Sequence, residues 1–222
     1  MSPQNTPSGA EMLEWLETRR SRRVFHTKPV PKEILTRLLH AAVTAPSNTN
    51  RQPWRFTVVT KQSVRKQIVN AVRARADEIK AIIENGHHAD DFANYGDFFH
   101  EPLASAAAIV IPQWRDYPDL IADFIASGGG DPSQWHTART MNAELCSTCA
   151  AVMALLLQAH AEGLGACWMA GPMIAKPDIE GMLGIHAPFR MVGAIAVGWP
   201  VGATPPSPGR KPIERIIQWV ED

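Results

Sequence analysis

The stretch on which the fold and the function of this chain depend most is Thr18-Arg19-Arg20-Ser21-Arg22-Arg23, which holds four arginines around one serine. A guanidinium group donates two parallel hydrogen bonds to phosphate oxygens and stays charged at any working pH, and a serine hydroxyl adds a short-range donor. The stretch therefore predicts a phosphate-binding site. The alternative is the basic end of a surface helix, because cations are favoured in the last turn of a helix and residues 11–18 have a helical pattern.

The charge balance of the chain limits what this stretch can bind. The chain has 222 residues, 45% of them hydrophobic, and its 22 Lys and Arg residues are balanced by 22 Asp and Glu residues. A neutral chain with one polybasic run favours a local phosphate site over a general affinity for polyanions. A nucleic-acid-binding module that uses residues 19–23 stays an alternative, although the sequence shows no second basic cluster with interleaved aromatic residues. We predict a single domain over residues 11–222 after a flexible segment over residues 1–10.

The cysteines and the N-terminal segment indicate the compartment. Two of the three cysteines form Cys146-x-x-Cys149 inside an alanine-rich helical pattern, which predicts buried small residues and neither a disulfide nor a zinc site. Residues 1–10 are polar and lack the apolar core of a signal peptide. The longest apolar run, residues 149–157, is too short to span a bilayer. We therefore expect a cytoplasmic protein without a membrane segment.

The hydrophobic periodicity alternates between helical and strand patterns, which predicts an α+β fold. Helical spacing predicts helices over residues 11–18, 31–42, 63–85, 120–125, 141–162, 177–183 and 210–220. Apolar runs predict strands over residues 55–60, 107–113, 166–170 and 191–197.

Two segments indicate a partner subunit. The predicted helix over residues 141–162 is apolar nearly all the way round, so it must be buried on every side, either inside the domain or between two subunits. Residues 199–209 contain four prolines, which favour an extended arm that crosses another surface.

The segment over residues 87–133 is the irregular part of the sequence. Its last part has an apolar helical pattern followed by Gly128-Gly129-Gly130, which is typical either of a lid over a site or of a surface helix with a flexible connector. The aromatic residues that could stack on a planar substrate, or could equally be core residues, are Tyr95, Phe99, Trp114 and Phe124. A further alternative is a metal site at His87, His88, Asp90 and Asp91, although loop histidines are usually solvated.

Several motifs, in order along the chain, resemble the FMN-dependent nitroreductase family. The first are Arg19-Arg20-Ser21-x-Arg23, then Pro29-Val30-Pro31, then Ala45-Pro46-Ser47-x-x-Asn50-x-Gln52-Pro53-Trp54. The later ones are Gly163-Leu164-Gly165, Gly198-Trp199-Pro200 and Gly209-Arg210-Lys211-Pro212. The resemblance covers most of the chain and is lost between about residues 87 and 133.

The resemblance implies a central, mostly antiparallel sheet flanked by helices, in an intertwined homodimer that binds two FMN molecules at the subunit interface. It implies a variable lid over about residues 87–133 and a C-terminal arm over about residues 199–222 that embraces the partner. Arg19 and Ser21 would hold the FMN phosphate and ribityl chain together with Arg210, and Arg20 would contribute mainly its backbone. Arg23 would lie by flavin N1 and the C2 carbonyl oxygen, where a fixed cation raises the reduction potential.

The same resemblance also implies which residues contact the flavin ring. Pro46, Ser47 and Asn50 would reach the cofactor from the partner chain. Ala170 and Gly171 would lie along the flavin edge, with the Gly171 backbone N–H directed at N5, because a glycine lets backbone approach a ligand closely. Many family members have an acidic residue where this sequence has Ala170.

The implied reaction is a ping-pong oxidoreduction. NADH or NADPH gives a hydride to flavin N5 and leaves, and a small organic acceptor such as a nitroaromatic or a quinone then takes two electrons. The sequence predicts no side chain as general acid or nucleophile. The alternatives on the same scaffold are reductive dehalogenation, dehydrogenation of a substrate and oxygen-dependent flavin breakdown, and residues 87–133 would decide among them because they shape the acceptor pocket.

Overall fold

A computed structural model describes residues 7–84, 86 and 96–221. The aromatic candidate Tyr95 and the alternative metal site at His87, His88, Asp90 and Asp91 lie outside the described residues. Within the described residues, no group of three or more His, Cys, Asp or Glu side chains is arranged to hold a metal ion.

A five-stranded sheet forms the centre of the fold. Its strands are β1 (Trp54–Val59), β2 (Ala108–Arg115), β3 (Gly165–Met169), β4 (Phe189–Met191) and β5 (Ala194–Gly198). The strands β1, β2, β5 and β3 lie side by side in that order, and β4 pairs with β2. All four pairings between these strands are antiparallel, which confirms the predicted α+β fold around an antiparallel sheet.

Helices cover both faces of this sheet. The described part of the chain contains α1 (Gly9–Thr18), α2 (Lys32–Ala42), α3 (Gln62–Ile83), α4 (Asp97–Ser105), α5 (Leu120–Ser127), α6 (Ala143–Ala161) and α7 (Lys176–Leu183). The helices α3, α4 and α7 contribute buried residues to one core cluster, and α2 and α6 contribute to the other. Each large aliphatic side chain that is fully buried stabilises the fold by roughly 1.5–3 kcal/mol.

The alternation of side chains along β2 explains why its sequence is apolar throughout. Ile109 and Ile111 belong to the core cluster on one face, whereas Ala108 and Val110 belong to the cluster on the other face. Successive residues of a strand point to opposite faces, so a continuous apolar run fills two cores at once. The strand β2 lies in the middle of the predicted lid region over residues 87–133, which confines any lid to the segments before and after it.

The prediction of one strand over residues 191–197 is wrong, because β4 ends at Met191 and β5 begins at Ala194. Gly193 lies between them with φ +112°, a conformation that favours glycine. A Cβ atom at this position would lie 2.7 Å from the carbonyl oxygen of Met169. The close approach of β3 therefore needs a glycine, and its backbone conformation interrupts the strand.

The helix α1 begins earlier than its hydrophobic pattern predicts. The Ser8 hydroxyl accepts a hydrogen bond from the Glu11 backbone N–H at 3.2 Å, and the Ser8 backbone N–H donates to the Glu11 carboxylate at 2.7 Å. This capping box starts the helix at Gly9. Gly9 and Ala10, which the sequence assigns to a flexible segment over residues 1–10, therefore belong to the helix. No residue of α1 is buried.

The helix α6 packs into a core cluster but has one open side. Val152 and Leu155 are fully buried, whereas Cys146 and Met153 are exposed. The prediction that both cysteines of the Cys146-x-x-Cys149 motif are buried is therefore wrong, because Cys146 is exposed and Cys149 is only half-buried. Helix α6 is, among the described residues, the one helix long and apolar enough to span a membrane, although residues 149–157 alone are too short. Half of its most apolar window is buried inside the fold, as is typical of a core helix.

The predicted helix over residues 210–220 is absent. The chain makes a single 3-10 turn over Ile213–Arg215, and residues 201–221 are exposed throughout. A short helix gains most of its stability from packing an apolar face, and no residue of this segment belongs to either core cluster. The large apolar side chains that this arm leaves exposed are Val201, Ile213, Ile216, Ile217, Trp219 and Val220.

Candidate active site

The arginine stretch lies along the free edge of β3. The helix α1 ends at Thr18, and the chain then becomes extended. Ser21 forms a parallel bridge to Ala166, and the Arg22 backbone N–H donates to the Ala166 carbonyl at 3.1 Å. Covering an edge strand in this way prevents it from pairing with another chain, and it fixes the arginines at one side of the sheet.

The C-terminal arm starts beside the same stretch. Phe25 forms a bridge to Pro200, the His26 backbone N–H donates to the Trp199 carbonyl at 2.8 Å, and the Val201 backbone N–H donates to Val24 at 3.1 Å. These bonds bring the beginning and the end of the chain to one place.

The Arg22 side chain binds the start of the C-terminal arm. Its guanidinium group donates to the Val201 and Gly202 carbonyl oxygens at 2.8 Å each, and to the Thr204 hydroxyl at 3.1 Å. The motif that resembles the nitroreductase family leaves this position unspecified, so the role of Arg22 was not predictable from the sequence. The structure shows that Arg22 holds the arm, whereas the next residue, Arg23, is exposed.

Arg19, Arg20 and Arg210 line one cavity of about 500 Å³ together with Ser207. The other lining residues are Leu16, Glu17 and Met153. Three arginines and one glutamate therefore line this cavity. The sequence motifs that contain Arg19 and Arg210 are thus brought together within a single chain.

The Arg20 side chain folds back onto the end of α1. Its guanidinium group donates to the carbonyl oxygens of Glu17 and Arg19. Its Nε atom is buried and has no hydrogen-bond partner in the described part of the structure. Arg19 has its backbone N–H bonded to the Leu16 carbonyl, at 3.3 Å, so its position is set by the helix end.

His160 lies beside this cavity and was not predicted from the sequence. Together with Thr18, Arg19, Arg20 and Arg22 it lines a neighbouring space of about 210 Å³. His160 Nε2 lies 2.7 Å from the Thr18 hydroxyl oxygen. Burial lowers the pKa of His160, and the positive charge of Arg19 lowers it further. Both effects favour a neutral imidazole next to the arginines.

Ser21 and Arg23 lie near Cys167 in β3. Burial raises the pKa of the Cys167 thiol, whereas the charge of Arg23, the hydroxyl of Ser21 and the charge of Arg19 act in the opposite direction. Ser21 and Arg23 line neither of the two cavities described above, whereas Arg19 lines both. Arg23 is exposed, and its backbone carbonyl accepts a hydrogen bond from Ser105 at 3.4 Å.

The loop that contains Pro46, Ser47 and Asn50 has an unusual backbone. Thr49, Asn50 and Gln52 have φ values of 48°, 54° and 48°, which non-glycine residues seldom adopt. The Ser47 hydroxyl accepts from the Gln52 backbone N–H at 3.1 Å, and the Asn50 side-chain oxygen accepts from the Gln52 side chain at 3.3 Å. Strained backbone of this kind persists only where the surroundings hold it in place.

The start of α6 holds this loop. Arg51 forms an ion pair of 3.1 Å with Glu144, which is buried, and also donates to the Pro118 carbonyl at 3.0 Å. The Asn48 backbone N–H donates to the Ser147 hydroxyl at 3.2 Å. Pro46 and Asn50 stay exposed and line neither of the two cavities described above. A single chain therefore does not bring them to Arg19 and Arg210.

Ala170 and Gly171 follow the end of β3, and Gly171 opens a 3-10 turn. The ring of Phe99 lies directly against Gly171, because a Cβ atom at position 171 would be 2.2 Å from Phe99 Cδ1. Phe99 also packs against the core cluster and forms an edge-to-face pair with Phe98, with ring centroids 4.4 Å apart. Of the four aromatic candidates, Phe99 is thus placed beside the predicted flavin edge.

The other described aromatic candidates lie elsewhere. Trp114 is at the end of β2, where the Arg190 guanidinium lies 4.2 Å from its ring centroid. Phe124 lies on α5 and is 66% exposed. Asp119 caps α5 by accepting from the Ala122 backbone N–H at 3.2 Å, and no residue of α5 is buried. Helix α5 is therefore an apolar, uncovered element, which fits either a lid or a subunit contact.

These features fit the phosphate-bearing cofactor that the sequence predicts. The cavity beside β3 is lined by Arg19, Arg210 and Ser207, whose side chains are donors that suit phosphate oxygens, whereas the Arg20 guanidinium group is bonded to backbone carbonyls. Gly171 offers backbone that carries no side chain, at the end of the same strand. The molecule is thus an α+β protein with an arginine-lined cavity at the edge of an antiparallel sheet.

The chain belongs to the nitroreductase family, because the model of the Nitroreductase family matches residues 16–199. A NADH dehydrogenase from Thermus thermophilus is 26% identical over 207 residues, which cover 90% of this chain and 92% of that protein. An iodotyrosine deiodinase from Nematostella vectensis is 26% identical over 215 residues, covering 94% and 74%. A second iodotyrosine deiodinase, from Haliscomenobacter hydrossis, is 27% identical over 114 residues, about half (51%) of each chain.

Solved structures show the same fold. A BluB-like flavoprotein from Clostridium difficile 630 has a TM-score of 0.82 at 22% identity, covering 96% of this chain and 100% of that one. An iodotyrosine deiodinase bound to FMN and 3-iodo-L-tyrosine has a TM-score of 0.69 at 21% identity, covering 94% and 100%. The nitroreductase-like fold that the sequence motifs predict is therefore confirmed.

Proposed function

We propose that this protein is an FMN-dependent oxidoreductase that works as a homodimer and passes hydride from NADH or NADPH to a small organic acceptor, such as a nitroaromatic or a quinone. The observation that carries the proposal is the cavity where Arg19 and Arg210, from opposite ends of the chain, lie together with Ser207. A cavity with this donor set suits a terminal phosphate group. Relatives named NADH dehydrogenase and iodotyrosine deiodinase support a redox reaction.

The phosphate end of the cofactor would be held by Arg19, Arg210 and the Ser21 hydroxyl. Arg20 would contribute little through its guanidinium group, because that group already donates to two carbonyl oxygens at the end of α1. Arg22 would act indirectly by holding the arm that carries Arg210. Folding the Arg20 and Arg22 side chains onto backbone carbonyls also argues against the nucleic-acid alternative, which needs both of them exposed to phosphates.

The flavin ring would lie along the end of β3. When bound, FMN supplies the atom that accepts a hydride from a nicotinamide and returns it to an acceptor. Arg23 would place a positive charge near the pyrimidine part of the ring, and Gly171 would offer its backbone N–H along the ring edge. Phe99, packed against Gly171, would form one wall of the acceptor site and exclude water from it.

The second subunit would complete each site. Pro46, Ser47 and Asn50 lie on a loop that is rigidly held yet exposed, as expected of residues that contact a cofactor bound to the partner. Exposed apolar side chains in α1, on the open side of α6 and in the arm supply a surface for dimerisation; examples are Leu13, Met153 and Trp219.

The test is to purify the protein, record its visible spectrum with FMN, and follow the loss of NADPH or NADH with a nitroaromatic or a quinone. We expect a yellow dimer that consumes no more than about one nicotinamide per bound flavin without an acceptor, and consumes it continuously when an acceptor is present. The Arg19→Ala and Arg210→Ala variants should lose bound FMN, whereas Arg73→Ala, an exposed arginine on α3, should keep it. A flavin-loaded wild type that consumes neither nicotinamide would overturn the proposed reaction.

Reductive dehalogenation is the second candidate, because two relatives are iodotyrosine deiodinases and a structural neighbour holds 3-iodo-L-tyrosine. The same assay distinguishes it. Release of iodide from 3-iodo-L-tyrosine, with higher kcat/KM than for any nitroaromatic or quinone, would favour dehalogenation over the first candidate.

A further inference from the structure

A second group of arginines assembles at the other end of the central strands, although the sequence shows no second basic cluster. Arg51, Arg55, Arg115 and Arg190 come from three separate parts of the chain. Their guanidinium groups lie over three aromatic rings, those of Trp114, Tyr117 and Phe189. The distances to the ring centroids include 3.8 Å for Arg55 over Phe189 and 4.6 Å for Arg115 over Tyr117. Such stacking fixes the planes of the guanidinium groups.

A cavity of about 240 Å³ opens within this group. Its cationic lining residues are Arg51, from the loop before β1, Arg139, from the turn before α6, and Arg190, from β4. A cavity of this size is smaller than pockets that enclose a drug-sized ligand, which are roughly 300–1,000 Å³. It suits one charged group and a small attached ring better than a whole cofactor.

The three carboxylates that line the cavity are already engaged. Glu144 accepts from Arg51, and Asp116 accepts from Arg190. Asp119 accepts from the Thr137 hydroxyl and, at 3.2 Å each, from the backbone N–H groups of Ala122 and Arg139. The hydrogen bond from Thr137 is the main cause that lowers the pKa of Asp119.

Some N–H groups of the arginines, in contrast, have no hydrogen-bond acceptor among the described residues. The Nε atoms of Arg115 and Arg190 are buried and have no acceptor among the described residues. The Arg139 side chain lines the cavity and forms no ion pair with any described carboxylate. Counting Arg55 and Arg115 with the three lining arginines gives five cations against three carboxylates. A buried N–H without an acceptor is unfavourable, so an acceptor bound at this group of arginines would be stabilising.

We propose that this cavity binds an oxyanion, a carboxylate or a phosphate group, carried by a molecule that reacts at the proposed flavin site. Arg51 directly follows Asn50, which lies on the loop proposed to reach the partner's cofactor, so the cavity would adjoin that site in the proposed dimer. This inference rests on the proposed function for the identity of the ligand. Arg139 is the group that contacts the oxyanion most directly, because Arg51 and Arg190 are partly used by Glu144 and Asp116.

The experiment compares Arg139→Gln with Arg73→Gln, which removes an exposed arginine from α3 on another surface. The acceptors are 4-nitrobenzoate and its uncharged analogue 4-nitrobenzamide, and the reductants are NADPH and NADH, which differ by one phosphate. A charge-assisted hydrogen bond corresponds to a change of about tenfold or more in affinity. Arg139→Gln should therefore raise the KM for 4-nitrobenzoate or for NADPH by about tenfold. The KM for the matching compound, 4-nitrobenzamide or NADH, should change by no more than about twofold.

The pair that responds identifies the source of the oxyanion. A selective effect on 4-nitrobenzoate assigns the cavity to the acceptor carboxylate, and a selective effect on NADPH assigns it to the nucleotide phosphate. Equal effects within both pairs, no effect, or the same effect in Arg73→Gln would overturn the proposal.

A calorimetric titration separates this proposal from the flavin reaction. Binding of 4-nitrobenzoate and of inorganic phosphate is measured with the purified protein in the absence of a nicotinamide. Binding of either probe that is weakened by Arg139→Gln and kept in Arg73→Gln supports the cavity even if no turnover occurs. If neither probe binds and the kinetic constants do not change, the cavity is not an oxyanion site, whatever the flavin does.

Discussion

Arg19 and Arg51, from the two arginine-rich regions of this chain, use the same side chain in opposite ways. At the edge of β3, Arg19, Arg23 and Arg210 form no ion pair with a described carboxylate, and Arg19 and Arg210 face an open cavity. At the other end of the sheet, Arg51 is paired with the buried Glu144 and holds a strained loop. The comparison shows that the partners of an arginine, and not its position in a basic run, decide whether it serves stability or a ligand.

The largest effect is expected where the paired arginine is removed. Arg51→Met leaves the Glu144 carboxylate buried without a partner, so the free energy of unfolding should fall by roughly 3–5 kcal/mol. Denaturation in urea measures this change. The double variant Arg51→Met, Glu144→Leu should recover most of the loss, because it removes both charges. A single variant as stable as the wild type would mean that Glu144 is not held by Arg51.

The sequence predicted those helices and strands whose position depends on burying apolar side chains. The apolar run of β2 and the all-round apolar pattern of α6 predicted central elements, because hydrophobic periodicity reports burial directly. The break at Gly193 was not predictable, because it depends on the approach of β3, which is distant in sequence. The arm over residues 210–220 has a helical pattern, but a pattern cannot form a helix without a surface to pack on.

The candidate site shows the same limit. Arg19, Ser21 and Arg210 could be named in advance from motifs. Arg22 and His160 could not, because their roles come from contacts with residues 201–204 and with Thr18. Nor could the cluster around Arg51, whose members are separated by more than half of the chain.

Removal of the unpaired Arg19 should weaken FMN binding and leave the free energy of unfolding unchanged. Arg19→Ala removes a charged donor to the proposed phosphate, so the affinity for FMN should fall by roughly 1.5–3 kcal/mol. The urea midpoint of the protein without FMN should stay at the wild-type value, since the Arg19 side chain has no ion pair to lose. Fluorescence titration with FMN and urea denaturation measure the two quantities. An Arg19→Ala variant that loses stability and keeps its affinity for FMN would show that Arg19 stabilises the fold and does not bind the cofactor.

Arg22 combines features of the stabilising arginine Arg51 and of the proposed ligand-binding arginine Arg19. It belongs to the basic run, but its side chain is bonded to the C-terminal arm. Arg22→Ala removes three hydrogen bonds to residues 201–204, so the arm should loosen and the FMN affinity should fall by about tenfold. Limited proteolysis after residue 201 should become faster. Arg22→Lys should restore part of both properties. An unchanged cleavage rate would show that the arm is held by other contacts.

The smallest effect is expected at an exposed ion pair outside both regions. The Arg37 guanidinium lowers the pKa of Glu162 from its ordinary value of 4.5 to about 2. The stabilisation from this depressed pKa is present above 4.5 and is lost as the pH falls towards 2. The small stability difference between wild type and Arg37→Ala should therefore shrink over that interval in urea denaturation. A difference that is independent of pH would mean that the pair is not formed in solution.

The central claim is that guanidinium groups from both ends of the chain hold one phosphate. The most direct measurement compares the affinities for FMN and for riboflavin, which lacks the phosphate, in the wild type and in Arg210→Ala. We predict that the wild type binds FMN at least about 100-fold more tightly than riboflavin, and that Arg210→Ala reduces this ratio by about tenfold. Equal affinities for the two flavins in the wild type, or a ratio unchanged by Arg210→Ala, would contradict the claim.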